Sequence, residues 1–232
     1  MQIPIAFEFK SNQTFDSYFA GSNQEITSQL KAIADQGNEQ QIYIWGEPGS
    51  GKSHLLQACC QLALQQGKTA FYFKFTQPLP ATELLTGLEE FELVCFDDID
   101  WLAGHADWEL ALFGFYNRHR QNNHKLLLAA KTPPKFLGLE LNDLKTRMSW
   151  GLTLRLQKLS DHQLLEALQT KAHYLGFEIS AIVGRFLLNH YVHELPALWQ
   201  LLEKIDRATL SAQRKLTIPF LKKILAEQGL QI

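Results

Sequence analysis

The chain has 232 residues, of which 46% are hydrophobic and 20% are charged, and its formal net charge is −2. This composition excludes a disordered chain and supplies the apolar residues for one large domain, or for one domain with a small partner. The near-neutral charge gives no sign of a large basic surface for nucleic acid. The apolar runs are far shorter than the roughly 20 residues of a membrane helix, so no membrane association is expected.

The N-terminal segment Met1–Lys10 lacks the basic and apolar regions of a signal peptide. The three cysteines, Cys59, Cys60 and Cys95, lie in apolar runs and cannot form a complete set of disulfides. They are interpreted as buried free thiols, which fits a reducing compartment. The sequence therefore predicts a cytoplasmic protein.

Strand-like and helix-like patterns alternate over the first two thirds of the chain. The predicted strands are Gln41–Trp45, Thr69–Phe75, Leu93–Phe96, Leu126–Ala130 and Leu152–Leu156. Helical patterns lie between them, for example at 53–66 and 108–120. This alternation predicts an α/β domain with a parallel five-stranded sheet that is covered by helices on both faces.

The last part of the chain has helical patterns only. A capping box at Ser160–Gln163 opens a helix that ends at Leu175, before Gly176. Further helices are predicted at 182–191, 195–212 and 218–227. We expect three segments, namely a tail (1–12), an α/β nucleotide-binding domain (13–159) and a small all-helical lid domain (160–232).

One segment between a predicted strand and a predicted helix matches the phosphate-loop pattern G-x-x-x-x-G-K-S/T. The residues expected to bind ATP or ADP are Gly46, Glu47, Pro48, Gly49, Ser50, Gly51, Lys52, Ser53 and His54. Backbone N–H groups and the helix N-terminus favour phosphate oxygens at such a loop. Lys52 would reach the β- and γ-phosphates, and the Ser53 hydroxyl would ligate Mg²⁺.

Two carboxylates, Asp97 and Asp98, follow the predicted strand Leu93–Phe96. We assign Asp97 to Mg²⁺ binding, together with Ser53, and Asp98 to the orientation or deprotonation of an attacking water. An acidic loop that begins a turn is the alternative interpretation. The phosphate loop upstream favours the metal and water roles.

Three segments carry a resemblance to a known family. Gly51–Ala58, Phe15–Asn23 and Leu144–Thr153 are similar to the phosphate loop, the opening segment and the arginine-finger motif of DnaA. The chain thus resembles the DnaA-like AAA+ family, which implies a P-loop AAA+ domain followed by a helical lid. The resemblance makes Arg147 an arginine finger that acts on the nucleotide of a neighbouring DnaA subunit. A surface arginine at a helix end is the alternative.

The same resemblance implies partners. The sequence ends after the predicted lid, as in short DnaA homologues that inactivate DnaA once replication has begun. Those proteins bind the sliding clamp, the β subunit of DNA polymerase III, through an N-terminal peptide that Gln2, Ile3, Ile5 and Phe7 match here. An edge strand packed on its own core is the alternative for this peptide. The resemblance implies a regulator of replication initiation that joins DnaA to the DNA-loaded clamp, contacts DNA only indirectly and stimulates ATP hydrolysis by DnaA. It leaves homo-oligomer formation open.

Two positions depart from the DnaA pattern. Lys131 stands where an acidic residue is usual, and Pro196 stands where the lid carries an arginine. We therefore expect weak hydrolysis by this chain, with a bound nucleotide, ADP in preference to ATP, acting as a ligand. The histidines have no metal-site spacing and are expected at the surface or in capping positions.

Two other classes of function stay open. A small-molecule kinase, such as a nucleoside kinase, also uses a loop of this pattern, although no arginine-rich lid segment is visible in the sequence. A DNA-bound AAA+ helicase or transposition loader is disfavoured by the net charge of −2.

Overall fold

The structure is a computed structural model that describes residues 13–35, 37–190, 195–212 and 214–227. The chain forms two compact units, Met1–Lys158 and Leu159–Ile232. Within the described ranges, no helix has the length and apolar character needed to cross a membrane. The four residues predicted to bind the clamp lie outside these ranges; they are Gln2, Ile3, Ile5 and Phe7.

A parallel sheet of five strands forms the centre of the first unit, in the order β2-β3-β4-β1-β5. The strands are β1 Gln41–Trp45, β2 Ala70–Lys74, β3 Leu93–Asp97, β4 Lys125–Ala130 and β5 Leu152–Arg155. β2 lies at an edge and pairs with β3, with Lys74 opposite Asp97. The prediction of a parallel five-stranded sheet is confirmed.

Helices cover both faces of this sheet, so its central strands are buried on both sides and are apolar without alternation. The helices of the first unit are α1 Gln24–Ala34, α2 Lys52–Gln65, α3 Ala106–Gln121 and α4 Asn142–Met148. One core contains Leu30 of α1 and Leu56 of α2. The other contains Phe96 of β3 and Phe115 of α3, whose rings pack edge to face with centroids 5.4 Å apart. The three cysteines are free and buried.

Short 3₁₀ turns complete the described part of the first unit. They span Gly21–Asn23, Thr82–Leu85, Leu88–Glu90, Ile99–Leu102 and Pro134–Phe136.

The second unit is a small helical domain. Its helices are α5 Asp161–Leu175, α6 Ala181–His190, α7 Leu195–Ala212 and α8 Ile218–Glu227. The Ser160 hydroxyl accepts from the Gln163 N–H at 3.3 Å, and the Gln163 side chain accepts from the Ser160 N–H at 3.0 Å, so the predicted capping box is present. The described residues of this unit include no strand. A lid with helices only, as predicted, follows the α/β unit.

Candidate functional site

The loop between β1 and α2 depends on close backbone packing. Gly49 and Gly51 have φ angles of 80° and 95°, which L-residues with side chains rarely adopt. A β-carbon on Gly51 would lie 2.7 Å from the Tyr18 ring, and one on Gly46 would lie 2.5 Å from the Leu156 carbonyl oxygen. The loop therefore forms only with glycine at these positions.

The lysine of the motif lies inside the loop. Lys52 is 6% exposed, and its ammonium donates to the carbonyl oxygens of Gly46 at 2.7 Å and Glu47 at 3.0 Å. Burial lowers the pKa of Lys52, and the charges of Asp97 and its acidic neighbours oppose that shift. The ammonium is thus held at the N-terminus of α2, where the helix dipole also favours an anion.

A buried hydroxyl in the same loop makes no hydrogen bond with any described residue. This atom is Ser50 Oγ, which lies just before the N-terminus of α2. A buried hydroxyl without a partner is costly, and a phosphate oxygen would supply the missing bond. The loop residues therefore fit a nucleotide phosphate.

The tip of the loop is exposed. Glu47, Pro48 and Gly49 face solvent, and the Glu47 carboxylate lies 3.5 Å from the Lys158 ammonium. Both of these side chains are largely exposed, so the pair contributes little to stability.

A cluster of charged groups lies next to the loop, at the carboxyl ends of β3 and β2. The Asp97 carboxylate is 0% exposed and accepts from the Tyr72 hydroxyl at 2.9 Å and from the Asp98 N–H at 3.0 Å. Burial raises the pKa of Asp97, while the nearby charge of Lys74 and a hydrogen bond with Ser53 oppose that rise. The structure thus brings together Ser53, Asp97 and Asp98, the three residues predicted for metal and water.

The point between these three residues is taken by a side chain that the sequence did not single out. The Lys74 ammonium lies 2.9 Å from Asp98 Oδ2 and 3.6 Å from Asp97 Oδ2, and it donates to Ser53 Oγ at 3.2 Å. No group of three or more His, Cys, Asp and Glu side chains among the described residues could hold a metal ion. Mg²⁺ therefore does not fit this arrangement, because a cation is already present at the expected position.

His54 faces the N-terminal segment of the unit. Its Nε2 donates to the Thr14 carbonyl oxygen at 2.8 Å, and its ring centroid lies 5.3 Å from that of Tyr18. Burial lowers the pKa of His54, and it raises the pKa of Tyr18 to about 12. Because Tyr18 also contacts Gly51, His54 fixes this segment against the phosphate loop.

Arg147 lies in the last turn of α4, and its guanidinium rests on the face of α3. The guanidinium carbon is 4.0 Å from the Phe113 ring centroid and 5.7 Å from that of Trp150. Nε donates to Asn117 Oδ1 at 3.0 Å, and Nη1 donates to the Asp143 carbonyl oxygen at 3.3 Å. These partners are neutral, and the structure gives Arg147 no salt bridge with a described carboxylate.

The backbone of Arg147 lies at the end of the sheet opposite to the phosphate loop. The Gln41 side chain donates to the Arg147 carbonyl oxygen at 3.0 Å, and Gln41 is the first residue of β1. The loop begins after the last residue of this strand, Trp45. Four steps of about 3.3 Å separate the two ends of the strand. Arg147 is thus placed away from the loop of its own chain.

A buried carboxylate that sequence reasoning missed supports the start of α4. Glu109 is 2% exposed and accepts from the backbone N–H groups of Gly104 at 3.1 Å, Glu140 at 2.8 Å and Leu141 at 2.7 Å. In the sequence, Glu109 looks like an ordinary acidic residue in the first turn of a helix, which is usually exposed to solvent.

Lys131, the first of the two departures from the DnaA pattern, follows β4, and its side chain is turned to Trp101. Its ammonium lies 5.1 Å from the Trp101 ring centroid, and its N–H donates to the Asp100 carboxylate at 2.9 Å. The second departure, Pro196, lies in the first turn of α7.

Comparison with known proteins identifies the family. Residues 9–155, more than half of the chain, match the family model of the bacterial DnaA ATPase domain. The chain belongs to this family. Residues 161–225 match the model described as the lid domain of Hda. The resemblance to DnaA-like AAA+ proteins is confirmed, and the lid is of the Hda type.

Solved structures share the fold of this DnaA-family chain. Domain III of the Thermotoga maritima replication initiation protein DnaA is 17% identical with a TM-score of 0.74, over 94% of this chain and 97% of that one. AMPPCP-bound DnaA from Aquifex aeolicus is 17% identical with a TM-score of 0.75, over 96% and 71%. The Thermotoga maritima RuvB Holliday junction branch migration motor is 15% identical with a TM-score of 0.68, over 97% and 74%. At these identities, the likeness establishes the AAA+ fold.

Proposed function

We propose that this chain is a nucleotide-bound regulator of replication initiation that stimulates ATP hydrolysis by DnaA through Arg147. The observation that carries the proposal is the state of the Arg147 guanidinium. It lies away from its own phosphate loop, and neutral groups orient it without cancelling its charge. A guanidinium in this state suits an anion on another molecule, as an arginine finger supplied in trans requires.

In this proposal, the chain binds ADP or ATP at its own loop. Gly46–Gly51 and the N-terminus of α2 would surround the phosphates, Lys52 would turn from the loop carbonyls to phosphate oxygens, and Ser50 would gain a hydrogen-bond partner. The nucleotide would serve as a structural ligand, since Lys131 is not an acidic sensor and Pro196 has no charge with which to contact a phosphate. His54 would act by holding Tyr18 against the loop.

The role of Arg147 is tested by the rate of phosphate release from ATP-bound DnaA in the presence of this protein and DNA-loaded clamp. We expect Arg147→Ala to retain ADP binding and to lose the stimulation, because arginine fingers are worth about 10³–10⁵ in rate. Lys145→Ala, which removes a different cation from α4, is the matched control and should retain the stimulation. Full stimulation by Arg147→Ala would contradict the proposal.

The clamp is proposed as the partner of the N-terminal peptide. Ile3, Ile5 and Phe7 would enter an apolar pocket, and Gln2 would form hydrogen bonds with its rim. We expect a double substitution, Ile5→Ser with Phe7→Ser, to abolish retention on immobilised clamp while the thermal unfolding midpoint stays unchanged. A loss of folding stability in this variant would instead favour a strand packed on its own core.

A further inference from the structure

We propose that Lys74 is a built-in cation of the nucleotide site, which replaces the divalent metal and lets this chain bind ADP without Mg²⁺. The proposal rests on the nucleotide binding proposed above. It concerns a side chain of β2 that the phosphate-loop motif does not include.

The Lys74 ammonium lies among three oxygens. A lysine ammonium has three N–H donors and no acceptor. Around the Lys74 ammonium lie Asp98 Oδ2 at 2.9 Å, Ser53 Oγ at 3.2 Å and Asp97 Oδ2 at 3.6 Å. These oxygens belong to the groups that the phosphate-loop pattern assigns to the metal and the attacking water. One cation of the chain itself therefore uses the oxygens that Mg²⁺ would otherwise use.

Strand pairing places Lys74 at this point. Lys74 is the last residue of β2 and pairs in register with Asp97, the last residue of β3. Neighbouring strands lie about 4.8 Å apart, so the two side chains begin side by side. The ladder continues beyond them, since the Phe75 N–H donates to the Asp97 carbonyl oxygen at 2.9 Å, and Phe75 is fully buried. The backbone at Lys74 is thereby held by strand pairing at the residues before it and at the residue after it.

The charged cluster holds two ammonium groups and three carboxylates. Asp97, Asp98 and Asp100 act on the Lys52 ammonium, and Asp97 and Asp98 also face the Lys74 ammonium. A nucleotide adds negative charge to this cluster, and the two lysines are its counter-ions there. A divalent ion would need to displace Lys74 from both carboxylates and would meet its positive charge at close range. A single fixed charge is also a poorer activator of water than a divalent metal, which agrees with weak hydrolysis by this chain.

The test measures the dissociation constant of a fluorescent ADP analogue in the presence of Mg²⁺ and in the presence of EDTA. For the unaltered protein we expect the two values to agree within about threefold. Lys74→Met keeps the aliphatic stem and removes the charge. We expect it to bind more weakly in EDTA and to recover by about tenfold or more when Mg²⁺ is added, which is about 1.4 kcal/mol.

Lys158→Met is the matched control, because Lys158 also lies beside the loop and pairs with the exposed Glu47. It should show the same small response to Mg²⁺ as the unaltered protein. Binding of Mn²⁺, measured by electron paramagnetic resonance, is a second readout that does not depend on activity. We expect Mn²⁺ to bind the ADP complex of Lys74→Met and not that of the unaltered protein.

The possible failures are distinguishable. If the unaltered protein gains tenfold or more in affinity with Mg²⁺, or if Lys74→Met responds as the unaltered protein does, the inference is overturned and nucleotide binding stands. If the unaltered protein binds the ADP analogue in neither condition, both the proposed function and this inference are overturned.

Discussion

The two cationic regions of the α/β unit differ in what surrounds their charge. At the carboxyl ends of β2 and β3, Lys74 is paired with two carboxylates of its own chain. On the face of α3 and α4, Arg147 rests on the Phe113 ring and donates to the Asn117 amide. The first arrangement neutralises charge inside the chain, and the second orients a guanidinium while its charge stays uncompensated. In the proposed function, this difference separates a site for the chain's own ligand from a group that acts on a partner.

The largest expected effects come from removing the Arg147 charge and, in a separate variant, the charge of the phosphate-loop lysine. Arg147→Gln removes the charge and keeps a polar side chain near Asn117. We expect it to lower the stimulation of ATP hydrolysis by DnaA about 10³-fold or more, without change in ADP affinity. Lys52→Met should abolish ADP binding, because the Lys52 ammonium lies inside the loop. Phosphate release and ADP titration on both variants check this. If Arg147→Gln lowered ADP affinity as strongly as it lowered the stimulation, the separation of the two regions would be wrong.

The support of the Arg147 region gives the next effect. Glu109→Ala leaves three partly buried backbone N–H groups, those of Gly104, Glu140 and Leu141, without their acceptor. We expect a loss of about 1–3 kcal/mol in the free energy of unfolding, as for donors that lose their hydrogen-bond partner. Urea denaturation measures this loss. Asp107→Ala, an exposed acid in the same helical turn, should cost less than about 0.5 kcal/mol.

Stability also depends on the protonation of a buried histidine. His119 is 2% exposed, and its Nε2 donates to the Phe91 carbonyl oxygen at 3.2 Å. Burial, with a smaller effect of His124, lowers the pKa of His119 to about 4, and the charge of Glu89 opposes that shift. Because the folded pKa is depressed, the stability that His119 contributes is complete above the unfolded pKa of about 6.5. It is lost as the pH falls from there toward 4.

The size of this effect is bounded by the pKa difference, which gives at most about 3 kcal/mol. Unfolding free energies between pH 7 and about pH 4.5 measure it. In His119→Gln, where an amide replaces the titrating ring, we expect a shallower decline with falling pH. An identical decline in both proteins would assign the pH dependence to other groups, such as Glu89, whose pKa is lowered.

The sheet and the lid were predictable because their signals are local. Parallel strands buried on both faces appear as short apolar runs, and the predicted bounds of β1 match the structure at both ends. The capping box at Ser160 and the glycine at Gly176 mark both ends of α5 in the same direct way. The phosphate loop was likewise predictable, because the residues that bind phosphate are consecutive in the sequence.

What the sequence did not reveal depends on neighbours in space. Lys74 meets Asp97 only because β2 pairs with β3 in that register, and nothing in the spacing of 23 residues between them states this. Glu109 has the pattern of a solvated acid at a helix start, although its acceptors are used by a distant loop. His119 lies in the core, because Phe115 and Tyr116, one turn earlier on the same face of α3, are buried there, and it binds the Phe91 carbonyl oxygen.

The smallest effect tests how the Arg147 guanidinium is oriented. Phe113→Leu keeps an apolar side chain of similar volume and removes the ring that lies 4.0 Å from the guanidinium carbon. A cation–π contact at a partly exposed site is worth about 0.5–1 kcal/mol, which predicts a decrease of roughly twofold to fivefold in DnaA stimulation. Phe136→Leu, at an exposed ring elsewhere in the unit, should leave the rate unchanged. A loss as large as that of Arg147→Gln would mean that the ring itself contacts the partner, whereas no loss would mean that Asn117, the Asp143 carbonyl oxygen and Trp150 orient the guanidinium without the ring.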